Sequence, residues 1–237
     1  MLGEPVLQHM HVVPSWDFAP MSMMRDKLRA LKSLAGPYTP FDPSTAPDDP
    51  TDLFAQWLQM AIDAGLREPH AMTLSTVDEK GFADARVLIL KNVDEHGWHF
   101  AITKSSPKGK QIAANPNVAL TFYWPTLGRQ VCIRGVACDM GAAVRDADFL
   151  ARPVGSRAGA LLERQSDVLD DESELDNGLE QQRQRIAADP QLVSTNWAVY
   201  AVKPAEIEFW QGNEERRHVR LNYRRDGHTW LRERLWP

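Results

Sequence analysis

Apolar residues first recur at helical spacing behind Pro50-Thr51-Asp52. Leu53, Phe54, Trp57, Leu58, Ala61 and Ile62 share one face there, and Gly65 is placed to stop the helix. From Ala71 the period falls to two. Met72, Leu74 and Thr76 alternate, and Asp78-Glu-Lys-Gly81 reads as a hairpin turn. The same pattern predicts strands over 83–93, Trp98–Thr103, Val118–Trp124, Gln130–Asp139, Trp197–Val202, Ile207–Gln211, Arg217–Tyr223 and Thr229–Arg234, with turns at Asp94-Glu-His-Gly97 and Asp226-Gly227. Ser106-Pro107 reads as an N-cap followed by proline at the first helical position, opening a helix that runs to Asn115. Segments 141–151 and 171–188 also read as helices. The second is a surface helix, with Leu175, Leu179 and Ile186 as a narrow stripe among charges.

Arg25–Leu34 reads as a short helix. The prolines at 37, 40, 43, 47 and 50 then forbid regular structure, so residues 1–50 are expected to form an arm and 51–237 a single domain. Short strands with tight turns and no βαβ alternation predict a mainly β protein with flanking helices, its strands closing into an antiparallel barrel.

Composition narrows the function by exclusion. The 237 residues are 43% hydrophobic and 25% charged, ordinary for a folded domain, and the net charge of −5 argues against a general nucleic-acid binder. Cys132 and Cys138 match no zinc or redox spacing and read as small core residues. No metal is expected, because no histidine or carboxylate cluster has ligand spacing; His9 and His11 fall in the arm. Neither G-x-G-x-x-G nor G-x-x-x-x-G-K is present, so no glycine loop holds a nucleotide. Met1–Val13 lacks the charged start and apolar run of a leader, and a cytoplasmic protein is expected.

Candidate chemistry lies in cations set beside strands. In Arg86-Val-Leu-Ile-Leu-Lys91 a regular strand puts Arg86, Leu88 and Leu90 on one face and Val87, Ile89 and Lys91 on the other. Arg86 and Lys91 therefore serve two different anions, or one turns in at the strand end, or both are solvated. Ser106-Pro107-Lys108-Gly-Lys110 places lysines at a helix start, where free N–H groups favour an anion and where unpaired lysines oppose the dipole. Arg216, His218 and Arg220 alternate with apolar Val219 and Leu221, as either a ligand-lining row or an exposed strand face. Trp210 either stacks on a ring or fills the core.

In their order, Arg86-Val-Leu-Ile-Leu-Lys91, Glu206-Ile-Glu-Phe-Trp-Gln-Gly212, Arg216-Arg-His218-Val-Arg220 and the closing Arg234-Leu-Trp-Pro237 resemble the pyridoxamine 5'-phosphate oxidase family from about Arg25 to the C-terminus. The resemblance implies a split β-barrel homodimer with FMN in clefts shared by both subunits. It implies oxidation of pyridoxamine or pyridoxine 5'-phosphate to pyridoxal 5'-phosphate, with hydride passing to FMN and molecular oxygen reoxidising it. It places Arg86, Val87, Leu88, Lys91, Ser106, Lys108, Gln130, Gln165, Ser166, Trp210 and Arg220 on FMN. Lys91, Arg152, Ser156, Arg216 and His218 fall on the substrate, with Arg152 and Ser156 at its phosphate and Arg216 and His218 over the reacting carbon. The chain departs from the family pattern at Asp148 (usually tyrosine), Pro107 (usually arginine), Ala101-Ile102 (usually an aromatic and threonine) and Leu28 (usually tyrosine). The phenazine-type flavin oxidases share the fold and relax the same substrate positions. A different oxidised substrate, or a non-catalytic flavin carrier, are therefore the other readings.

Overall fold

The computed structural model describes residues 19–237. His9 and His11 lie outside them. The chain divides between Ala35 and Gly36. The first unit contains helix α1 (Ala19–Ala30), which starts before the expected Arg25 and ends before the expected Leu34, and Leu28 on it is exposed. Residues 36–50 of the expected arm belong to the second unit. Phe41 packs edge-on against Trp57 at 5.0 Å, and the Tyr223 hydroxyl donates to the Pro47 carbonyl at 2.6 Å.

Helix α2 (Pro50–Asp63) begins where its cap chemistry dictates, with the Asp49 carboxylate accepting from the Thr51 N–H and Pro50 at the first turn. Leu53, Phe54, Trp57 and Ala61 are buried as the spacing predicts, whereas Ile62 is exposed. Phe54 meets Trp98 and Phe122 at 5.4 and 4.9 Å, and Trp57 meets Phe209 at 5.2 Å. Each such aromatic contributes about 1.5–3 kcal/mol by leaving water. This helix is the plug of the β structure.

The strands are β1 (Ala71–Val77), β2 (Ala83–Ile89), β3 (Asn92–Asp94), β4 (Gly97–Thr103), β5 (Asn117–Trp124), β6 (Arg129–Asp139), β7 (Trp197–Gln211), β8 (Val219–Asp226) and β9 (Thr229–Leu235). All pairings are antiparallel, in the order β2-β1-β5-β6-β7-β4-β3, with β8 also on β7 and β9 on β8. The two ends of that order, β2 and β3, are consecutive in the chain. The sheet must therefore curl until they meet, giving the antiparallel split barrel. The seam is Leu90-Lys91: the Leu90 N–H donates to His70 O and the Lys91 N–H to His99 O, so the chain crosses from β1 to β4 here. The single strand expected over 83–93 is thus two, and face alternation does not govern Lys91.

Strand β7 is likewise one long strand where two were expected. Its first half pairs with β4, its second with β8, and β6 runs along both. The register shifts between Arg134 and Gly135. A Cβ on Gly135 would come 2.2 Å from Lys203 O, so only glycine lets β7 pass this close. Pro204 falls in the same place, between the end of the β4 pairing and the start of the β8 pairing, where neither of those strands needs its missing N–H.

Helices α3 (Pro107–Ala114), α4 (Gly141–Leu150), α5 (Val154–Leu161) and α6 (Glu172–Ala188) decorate the barrel. Helix α5 was not predicted. On α6, Ile186 is buried and Leu175 exposed, as suits a surface helix. Cys132 and Cys138 are both free. They are half-buried and exposed on the outer sheet face, not core residues as expected.

Candidate functional site

Helix α3 starts as the sequence dictates. Ser106 is fully buried; its hydroxyl donates to Thr103 O at 2.6 Å and accepts from the Gly109 N–H at 3.4 Å. Gly109 lies so close to the preceding turn that a Cβ would meet Lys104 O at 2.2 Å. This close seating pulls Lys108 inward, leaving it only 8% exposed. The Lys108 ammonium donates to Gln165 Oε1 at 2.7 Å and pairs with no carboxylate among the described residues. Burial, and next the positive charge of Arg86, push its pKa down from the usual lysine value.

Arg86 is fixed from several sides. It donates to Thr76 Oγ1 at 2.6 Å, Leu74 O at 3.2 Å and Gln111 Oε1 at 3.3 Å, and pairs with Asp84. The Gln111 amide, ahead of Arg86, holds the Asp84 carboxyl below its ordinary range.

A cavity of about 600 Å³ opens beside these groups. Lys108 and Gln165 line it with Leu88, Arg152, Ser156 and Trp197. Arg152 follows α4, and its guanidinium lies 4.0 Å from the centroid of the Trp197 ring. The Arg152 Nη1 is buried without a hydrogen-bond partner. Burial lowers the Arg152 pKa, and Asp148 partly offsets this. Asp148 does not pair with Arg152. One carboxylate oxygen takes the Lys91 ammonium at 3.1 Å, and the other accepts from the Trp197 indole N–H at 2.9 Å. Leu162, Val168, Leu169, Leu175 and Leu179 give the cavity an apolar wall, interrupted by Glu163, Arg164, Asp167 and Glu174. Next to Gln165, Ser166 is exposed with φ of 75°.

The other expected residues lie elsewhere. Gln130, Trp210 and Arg220 are direct cross-strand neighbours on β6, β7 and β8, so their side chains share the outer sheet face, opposite buried Val131, Phe209 and Leu221. Arg220 makes a two-pronged pair with Glu208 at 2.6 and 2.9 Å. The expected strand start at Arg217 is moved to Val219, so Arg216 and His218 sit on a turn rather than in alternation with Arg220. Arg216 adopts φ of 63°. The His218 ring lies 4.9 Å from Trp210, and its Nδ1 accepts from the Asn213 N–H at 3.1 Å. That bond places the neutral ring's proton on Nε2. Burial, then Arg216, lowers the His218 pKa below 6.5. None of Gln130, Trp210, Arg216, His218 and Arg220 lines the cavity, nor do Val87 and Lys91.

Sequence reasoning missed Trp197, the platform for Arg152, and Gln111, which ties Arg86 to α3. No spacing along the chain marks either residue, and Asp148 four residues before Arg152 suggests an ion pair that does not form. Among the described residues no group of three metal-ligating side chains occurs, and no helix is long and apolar enough to cross a membrane.

Residues 58–211 match the family model described as pyridoxamine 5'-phosphate oxidase. Residues 197–237 match that of the pyridoxine 5'-phosphate oxidase C-terminal dimerisation region. Over 196 residues the chain is 44% identical to the pyridoxine/pyridoxamine 5'-phosphate oxidase of Pseudomonas paraeruginosa, covering 82% of this chain and 91% of the relative. It is 44% identical over 200 residues to that of Thermosynechococcus vestitus, covering 82% and 92%. Among solved structures, PhzG from Burkholderia lata, in complex with tetrahydrophenazine-1-carboxylic acid, superposes with a TM-score of 0.79 at 29% identity, covering 85% of this chain and all of that one.

Proposed function

Because the chain belongs to the pyridoxamine 5'-phosphate oxidase family, we propose that it is an FMN-dependent oxidase converting pyridoxamine or pyridoxine 5'-phosphate to pyridoxal 5'-phosphate, with molecular oxygen as acceptor. One observation carries the reading at the level of residues. Lys108 and Arg152, both desolvated and neither paired with a carboxylate among the described residues, stand in the wall of one cavity. A buried cation without a counter-ion is costly, and a bound phosphate removes that cost at each position.

The donor set fits FMN. Lys108 supplies the charge for its phosphate, Arg86 adds to the positive field, and Gln165 and Ser166 offer polar atoms. When bound, FMN supplies the hydride acceptor. Arg152 and Ser156 hold the substrate phosphate and so orient the ring, while the apolar wall excludes water. Arg216 and His218 belong over the reacting carbon. His218 meets the substrate's amine or hydroxyl with Nε2, the nitrogen that its bond from Asn213 leaves protonated.

In this reading the outer row reaches a cavity only in a homodimer, where Gln130, Trp210, Arg216, His218 and Arg220 of one copy complete the site of the other. The match of residues 197–237 to a dimerisation region supports this. So does the exposed apolar surface of Val87, Ile89 and Tyr123. The proposed compartment is the cytoplasm, in keeping with two unpaired thiols.

A second reading, a carboxylated aromatic substrate, is favoured by Asp148, whose negative charge sits beside the Arg152 subsite. Purification decides between them. A yellow protein that releases peroxide on adding pyridoxine 5'-phosphate is expected. A colourless preparation that takes up no added FMN overturns both oxidase readings, and a yellow one inert to this substrate overturns the first.

A further inference from the structure

Asp148 lies in the last turn of α4, where a negative charge opposes the helix dipole and no basic side chain compensates within that turn. Its side chain is only 17% exposed, and both of its oxygens are engaged. It pairs with Lys91, arriving from the barrel seam, and grips the edge of the Trp197 indole on which Arg152 rests. Arg152, four residues on, stays outside ion-pair distance of it and keeps a buried Nη1 without a partner.

We propose that Asp148 determines the charge selectivity of the anion subsite: by cancelling Lys91 it leaves Arg152 to meet the ligand with a single net positive charge on that side. The inference rests on reading the Arg152 cavity as the substrate-anion subsite. An anion there feels Arg152 in full, whereas Lys91 and Asp148 act on it as a nearly neutral pair. The subsite consequently favours doubly charged anions over singly charged ones, carboxylates included, less than it would with the charge of Lys91 uncancelled. Withdrawing the carboxylate charge would expose that of Lys91. Coulomb energy scales with ligand charge, so a dianion gains twice the free energy that a monoanion gains, and its fold-change is the square of the other.

The test is calorimetric titration of the holoenzyme with sulfate as the dianion and acetate as the monoanion. In Asp148→Asn the sulfate affinity is expected to rise about tenfold and the acetate affinity about threefold. Asp148→Ser removes the same charge without an amide and serves if the first variant folds poorly, as judged by circular dichroism. Lys91→Met leaves Asp148 uncompensated and is expected to weaken sulfate about tenfold. Unchanged affinities in the Asp148 variants, equal factors for the two anions, or weaker sulfate binding overturns the proposal. In turnover, Asp148→Asn is expected to lower KM for pyridoxine 5'-phosphate with a much smaller change in kcat. Variants that show these two factors, in a protein whose wild-type form does not oxidise that substrate, defeat the functional reading alone. Turnover together with equal anion factors defeats this inference alone.

Discussion

The cavity wall and the outer sheet row carry similar chemistry in opposite states. In the wall, Lys108 and Arg152 are desolvated and await an anion, held by the capped α3 and by the Trp197 platform. In the outer row, Arg220 already has Glu208, and Gln130 and Trp210 stand on the outer sheet face with His218 on the adjoining turn. One half is a prepared receptacle within a single chain. The other is an outer surface whose proposed role needs a second copy of the chain. The contrast teaches that buried unpaired charge points to a ligand more directly than exposed charge does, even where the exposed residues are the more suggestive in sequence.

Removing the outer half should abolish chemistry but not colour. Arg216→Ala is expected to lower kcat about 10²–10⁴-fold, the range for a lost positioned group near the reacting atoms. Bound flavin should be retained, as read by absorbance after gel filtration. Equal loss of both would erase the distinction between the halves. Within the wall, Arg152→Ala should raise KM for the phosphorylated substrate by about 10–100-fold, matching a charge-assisted contact of about 1.5–3 kcal/mol; steady-state kinetics checks this.

Lys108→Met sharpens the comparison from the other side. FMN affinity should fall about tenfold. The flavin-free protein should be no less stable to urea, since the substitution removes a desolvated charge. A marked loss of apo stability would mean that Lys108 is a structural residue. The smallest effect is that of pH. His218 binds protons less readily when folded, so the unfolded chain takes up more protons between pH 6.5 and the lowered folded value. The stability contribution is present above pH 6.5 and lost as pH falls through that window. A His218→Gln variant should flatten this slope slightly, measurable as a smaller acid-side shift in Tm.

Much of this architecture could be read along the chain because its signals are local. Met72, Leu74 and Thr76 are buried as alternation requires, and Asp49-Pro50 and Ser106-Pro107 cap helices where their chemistry places them. What escaped was long-range or contradicted by propensity. The apolar run through Leu90 gives no sign that the strand ends there; only the curl of the sheet forces the break. Helix α5 contains Gly155 and Gly159, poor helix formers, and is stabilised from outside by Arg157, which donates to Pro190 O and Leu192 O at 2.8 and 2.7 Å. For the site, the family likeness assigned the cations, but spacing could not show that Asp148 would claim Lys91. Nor could it show that Gln130, Trp210 and Arg220 would share one rung, a register fixed across more than 80 residues of chain.

Strand β7 begins at Trp197, the platform of the wall, and runs to Gln211, one residue beyond Trp210 of the outer row. A single ribbon roughly 46 Å long thus acts as a ruler between the two proposed half-sites. Deleting one residue from it would turn Trp210 toward the hydrophobic interior while leaving Trp197 in place. The gauge from cavity to outer face is therefore set by chain length alone, and evolution can alter either end only by keeping the count between them.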